Sequence, residues 1–297
     1  PDNPEKSASI SKNIIQWRMV TCWPRDFPGG GTHSQKLAKR ITEASDGRLE
    51  IKNYAAGELV PAFEVFDAVR EGTAQCGHAA PYYWISKHKA IPCFCTVPGG
   101  MTAGEKAAWI IYGGGQALWD ELYAEFGVKS FLAGNTGVQM GGWFQKEINS
   151  LEDFQGIKMR MPGSEAWQFL GKALGTNPVP LAYAEVYTAL QTGAIDGQDN
   201  PLPNVKIMKF YEVTKQIALT GHLVDLNYIA ISSKIWDSLS GEQQAMLQGA
   251  SDATAEFARQ KQLGMEADLV QFMKDEGLDV YTPDLAAFQK TVQDAYL

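Results

Sequence analysis

Ile157-Lys-Met-Arg-Met-Pro-Gly163 alternates apolar and charged residues over five positions and then breaks at a proline–glycine pair. Period-two alternation predicts a strand, and Pro162-Gly163 predicts its abrupt end. In an α/β fold, the end of such a strand opens onto the crevice where ligands bind. The segment carries one arginine, Arg160. A guanidinium is planar, permanently charged and able to hold a carboxylate through two parallel hydrogen bonds. Arg160 therefore has two readings: a grip on the carboxylate of a small ligand, or a solvated or salt-bridged strand arginine.

Downstream, Ser164 to Leu174 reads as a helix with Trp167 and Leu170 inward, Val179 to Leu181 as a short strand, and Ala184 to Thr192 as a helix stopped by Gly193. Ala194-Ile-Asp-Gly197 is a further strand. It places Asp199 and Asn200 at a strand end in front of Pro201, which again suggests a cleft. Upstream, Asn135-Thr-Gly-Val-Gln-Met-Gly-Gly-Trp143 is a strand of small residues, which let a ligand approach the backbone. Asn135 and Gln139 lie four apart, on one face of an ideal strand. Each is either a ligand contact or an ordinary polar cap.

The N-terminal third runs strand (Ile14 to Thr21), helix (Thr32 as N-cap, to Ala44), strand (Leu49 to Tyr54), helix (Phe63 to Glu71), strand (Gln75 to Ala80). That order predicts a parallel sheet with helices on its faces. The glycines Gly29 to Gly31 fit neither the phosphate-loop nor the dinucleotide frame and read as a flexible lead-in to the helix. Thr102 to Phe126 is helical and broken by Gly113-Gly-Gly115. Leu219 to Ser232 is a return strand, Gly241 to Gly277 one long helical stretch, and Thr282 to Leu297 a final helix.

With 297 residues, 45% of them hydrophobic, the chain can bury the cores of two lobes. A net charge of −8 argues against nucleic acid or an anionic membrane surface as partner. An anionic ligand must then be drawn by a local cation. No apolar run approaches the roughly 20 residues of a membrane helix. Residues 1–13 are polar and read as a tail from which a secretory signal has been removed. Four cysteines are too few for a disulfide scaffold; they are free and buried, or one long-range pair such as Cys22 with Cys76. The four histidines show no ligand spacing. No nucleophile elbow, zinc-protease motif or spaced acid pair with a nucleophile supports an enzyme.

Leu151-Glu-Asp-Phe-Gln-Gly-Ile-Lys-Met-Arg-Met-Pro162, Glu185-Val-Tyr-Thr-Ala-Leu-Gln-Thr-Gly-Ala-Ile-Asp-Gly197 and Asn200-Pro201, in that order, resemble the signature of TRAP-transporter solute-binding proteins of the DctP-like family. The likeness runs from Trp17 to the C-terminal helix. Trp23-Pro24, Tyr54-Ala-Ala-Gly-Glu-Leu-Val-Pro61 and Ala133 to Phe144 resemble the branch that binds 2-oxo or 2-hydroxy acids.

The resemblance implies a two-lobed, type II-like α/β periplasmic-binding fold with mixed sheets, hinge strands and a long C-terminal helix, closing on its ligand. It implies lobes made of residues 14–137 with 227–297 and of residues 138–226. It implies a non-enzymatic receptor in the periplasm, monomer or homodimer, that delivers a small carboxylate to a membrane TRAP permease. Arg160 would hold the carboxylate, with Asn200, Gln139, Tyr82, Tyr83, Asn135 and Phe27 around the ligand. In the 2-oxo acid branch a sodium or calcium ion bridges ligand and protein, which here would fall to Gln139 and Asp199. The chain departs from that branch, whose Glu-Trp pair is here Asp199-Asn200. Asn200-Pro201 is instead similar to the sugar-acid and dicarboxylate branches. The alternatives are therefore a C4-dicarboxylate or sugar acid on the same fold, a sensory binding subunit, or a secreted enzyme.

Overall fold

A computed structural model describes residues 14–97, 100–161, 171–221, 223–263 and 265–296. The tail 1–13, the Pro162-Gly163 break and most of the helix expected from Ser164, with Trp167 and Leu170, lie outside them. The strands are β1 (Ile15–Thr21), β2 (Leu49–Tyr54), β3 (Cys76–Ala79), β4 (Val128–Phe144), β5 (Lys158–Met161), β6 (Asn177–Pro180), β7 (Gly197–Pro201), β8 (Gln216–Ala218), β9 (Leu223–Ser232) and β10 (Asp279–Tyr281). The helices are α1 (Gly30–Ala44), α2 (Val65–Arg70), α3 (Ala103–Tyr112), α4 (Gly115–Ala124), α5 (Tyr183–Gln191), α6 (Asn204–Ile207), α7 (Ser233–Ser238), α8 (Gly241–Leu263), α9 (Glu266–Asp275) and α10 (Leu285–Tyr296).

The ladders run β2-β1-β3-β9-β4-β7-β5-β6, with β8 on β4 and β10 on β8. β1 pairs in parallel with β2 and β3, as the strand–helix–strand order predicts. β5 pairs in parallel with β6 and β7. These two parallel halves are joined by the long antiparallel strands β4 and β9. β4 is irregular where it crosses. Its register shifts between Leu132 and Gly134, between Asn135 and Val138 and between Met140 and Trp143. Gly137 has φ +84°, a left-handed value open to glycine. The small residues of this strand thus let it bend as it passes from one half to the other.

Each half has its own apolar cluster. Met19, Leu37, Ile41, Phe131, Ile231 and Leu247 form one on the β1 side. Trp143, Val186, Leu190, Phe210, Leu269 and Met273 form another on the β7 side. Fully burying one such side chain contributes about 1.5–3 kcal/mol.

Several expectations change. Thr32 does not cap α1: the helix starts at Gly30, and Thr32 Oγ1 donates to Gly29 O at 3.1 Å. Gly29 to Gly31 is not a loose lead-in, because a Cβ on Gly30 would lie 2.3 Å from the Trp23 ring. Only glycine lets the helix seat there. The stretch Gly241 to Gly277 is two helices; α8 lies across β4 and α1, whereas α9 buries Leu269 and Met273 in the β7-side cluster. β10 pairs with β8. Leu269 and Met273 thus pack, and β10 pairs, with elements of the β7 side. All four cysteines are free, so Cys22 and Cys76 form no disulfide.

Candidate functional site

Arg160 is fully buried. Its Nε donates to the main-chain carbonyl of Leu181 and its Nη1 to that of Asp199, both at 3.1 Å. Its guanidinium carbon lies 4.5 Å from the centroid of the Tyr183 ring. Nη2 has no acceptor. Two hydrogen bonds and one stacked face fix the fork, and the remaining donor is aimed and held. The solvated-arginine reading does not fit a side chain with no exposed surface.

Gln139, Asp199 and Asp225 are also fully or almost fully buried. Gln139 Nε2 donates to Asp225 Oδ2, leaving Gln139 Oε1 and Asp225 Oδ1 without partners. Burial first, and the nearby Asp199 charge second, push the Asp225 carboxyl well above the usual carboxylate range, against the pull of Tyr82, Gln139 and Arg160. Burial beside a second carboxylate favours the protonated form of Asp225.

Phe27, Tyr82 and Tyr83 lie at the same place. Tyr82 and Tyr83 rings are 4.6 Å apart, and Phe27 is 4.8 Å from Tyr183. Asn200 is buried with both ends of its amide engaged. Nδ2 donates to Gln198 Oε1 at 2.8 Å, and Oδ1 accepts from Asn204 Nδ2. Its carbonyl accepts from Trp143 Nε1 at 3.2 Å. Strand alternation sets Gln198 and Asn200 on one face of β7 and Asp199 on the other. Asn135 goes elsewhere. Its Oδ1 accepts from Gly137 N at 3.0 Å, and it borders a groove with Leu132, Leu226, Asp252 and Arg259. The bulge between Asn135 and Val138 breaks the period-two argument that set Asn135 beside Gln139.

Residues 19–297 match the family model described as bacterial extracellular solute-binding protein, family 7 (DctP). The chain belongs to this family.

Relatives with a described role are solute-binding proteins. The monocarboxylate 2-oxoacid-binding periplasmic protein of a Nostoc species is 45% identical over 185 residues, 62% of this chain and 50% of that protein. The chain spans about half the length of the curated relatives it matches. A TRAP periplasmic solute-binding protein of Pseudoalteromonas atlantica, solved with sodium and pyruvate, is similar at TM-score 0.85 and 36% identity, covering 95% of this chain and 86% of its own. One from Roseobacter denitrificans, solved with 3-deoxy-D-manno-oct-2-ulosonic acid, is similar at TM-score 0.85 and 37% identity, covering 95% and 93%. These structures share the two-lobed α/β architecture.

In this family-7 chain three residues of the cluster escaped sequence reasoning. Asp225 is a lone acid in the largely apolar run Leu223-Val-Asp-Leu-Asn-Tyr-Ile229 of β9, a pattern that marks a buried charge with a task. Gln198 and Asn204 flank Asn200 and are as fully buried as it is. No helix among the described residues is long and apolar enough to cross a membrane.

Proposed function

We propose that this chain is a periplasmic receptor for a small monocarboxylate bearing a 2-oxo or 2-hydroxy oxygen, handed on to a membrane TRAP permease. The observation that carries the proposal is the buried Arg160, held by two main-chain carbonyls and a ring while Nη2 keeps its donors. A carboxylate is the natural acceptor for such a fork. Gln139, Tyr83 and Tyr82 would read the substituent at C2.

Asp199 and Asp225 suit a hard cation. The unpartnered oxygens Gln139 Oε1 and Asp225 Oδ1 are oxygen donors of the kind sodium and calcium take. With the Asp199 carboxylate they would hold the ion, whose charge would bind the ligand's oxygens. The relative solved with sodium and pyruvate supports this reading. The second reading is a sugar acid. 3-Deoxy-D-manno-oct-2-ulosonic acid, bound by the Roseobacter relative, carries the same 2-oxo carboxylate head on a longer polar tail. The packed rings of Trp23, Phe27, Tyr83 and Tyr183 favour the shorter acid.

A thermal-shift screen of 2-oxo, 2-hydroxy, aromatic, sugar and dicarboxylic acids, with and without a chelator, tests this. A ligand at 100 times its Kd stabilises by about 2.7 kcal/mol, a rise of several degrees. We expect a rise with pyruvate-like acids that the chelator abolishes. No rise with any carboxylate overturns the proposal; a rise that ignores the chelator removes the cation alone.

A further inference from the structure

Besides Arg160, Tyr183 meets rings from the other half of the molecule. Arg160 and Tyr183 belong to the β7-β5-β6 half, on β5 and at the start of α5. Trp23 and Phe27 belong to the β2-β1-β3 half, in the connection from β1 to α1. Across that divide the Tyr183 ring lies 4.8 Å from Phe27 and 5.5 Å from Trp23, at tilts of 46° and 45°. Trp23 and Phe27 are themselves stacked, 5.9 Å apart and 4° from parallel. All three rings are at most 2% exposed. One side chain thus touches the carboxylate-binding group on one half and a rigid aromatic wall on the other.

The wall is stiff for reasons visible in the packing. Trp23 Nε1 donates to the buried His78 Nδ1 at 3.2 Å, and α1 seats Gly30 directly on the Trp23 ring. On the far side, the segment 181–183 holds Arg160 twice, by the Leu181 carbonyl and by the Tyr183 face. Tilted aromatic pairs contribute beyond their buried area, and a ring under a desolvated guanidinium adds a cation–π term. Arg160 can keep its place on Tyr183 only while Tyr183 keeps its own. That place is complete only when the two halves are together.

We propose that Tyr183 is a positioning residue that couples occupation of Arg160 to lobe closure, acting as the latch between Arg160 and the Trp23–Phe27 wall. The inference rests on the receptor reading above. It predicts that the aromatic ring, and not the hydroxyl, is what the closed form requires.

Small-angle scattering on the full chain reads closure as a fall in radius of gyration on adding pyruvate with calcium, or 3-deoxy-D-manno-oct-2-ulosonic acid as a second probe. Wild type and Tyr183→Phe should contract alike. Tyr183→Leu should bind at least tenfold more weakly, with faster dissociation, and show little contraction even at saturation. Phe27→Leu, which leaves both Arg160 and Tyr183 in the chain, should also lose contraction while losing less affinity. A circular-dichroism melt confirms that each variant is folded. Tyr183→Leu or Phe27→Leu contracting like wild type overturns the latch and leaves the receptor reading standing. Failure of wild type to contract with either probe overturns both.

Discussion

Arg160 sets the chemistry because a fully buried guanidinium must be answered at close range. Arg160→Ala should weaken binding of the acid found in the screen by about 2–5 kcal/mol, roughly thirty- to several-thousandfold in Kd. Calorimetric titration measures it, and an unchanged Kd refutes the assignment. Asp225 makes the opposite kind of prediction. Its folded-state carboxyl titrates well above the usual range. The stability it lends is therefore fully present below the ordinary carboxylate value and is lost as pH rises from there through the raised folded value. Asp225→Asn should raise the melting temperature of ligand-free protein at neutral pH while weakening cation-dependent binding. A lower melting temperature at pH 7 would count against a protonated or strained acid there. His33 and His78 titrate the other way. Burial, with the charges of His78, Lys261 and Lys36, pushes His33 down to about 3. Burial pushes His78 down to about 4. Both are neutral when folded and take up protons on unfolding below about pH 6.5. Stability should fall as pH drops from 6.5 toward 4, by about 1.4 kcal/mol per pH unit for each histidine. Denaturant titrations at pH 7 and pH 5 test this, and His33→Gln should remove about half the slope.

At the scale of elements, glycine placement decides how α1 meets its strand. A Cβ on Gly30 would sit 2.3 Å from Trp23 and one on Gly31 2.5 Å from the Pro24 carbonyl. Gly30→Val should cost about 1–3 kcal/mol from overpacking alone and should also weaken ligand binding, since it displaces the wall that Tyr183 meets. Gly104→Ala, where a Cβ meets nothing within 4 Å, is the control and should leave both unchanged. Equal melting temperatures for Gly30→Val and wild type would show that the contact yields. The β4 strand carries a different lesson. Its bulges rotate Asn135 away from Gln139, so polar residues four apart serve two different surfaces.

For the whole molecule, the C-terminal segment ties the halves together. α8 lies across β4 and α1, whereas α9 and β10 complete the β7-side half. Leu269→Ala should destabilise by about 2–5 kcal/mol, and the loss should appear in the unfolding of the β7-side half, read by protection of β7 and β8 amides in hydrogen exchange. Loss of protection confined to β1 and β2 would place α9 with the wrong half.

The sequence by itself determined the alternation that made β5 a strand, the strand–helix order that made β1, β2 and β3 parallel, the glycines that divided α3 from α4, and the motif order that marked the family. These are local or nearly local properties, set by side-chain period, backbone permissiveness and chain order. At the candidate site the sequence singled out Arg160, Gln139 and Asp199, but left Arg160 and Gln139 with two readings each; the structure adds that all three are buried. Tertiary structure alone decided that Asp225 meets Gln139 across 86 residues, that Asn200 joins an amide relay, that Asn135 turns away, and that Tyr183 bridges Arg160 to Phe27. Each of these depends on which distant strands become neighbours and on a bulge or helix break that shifts a face by one residue. No local pattern encodes that, because the energy deciding it comes from burial between segments far apart in the chain.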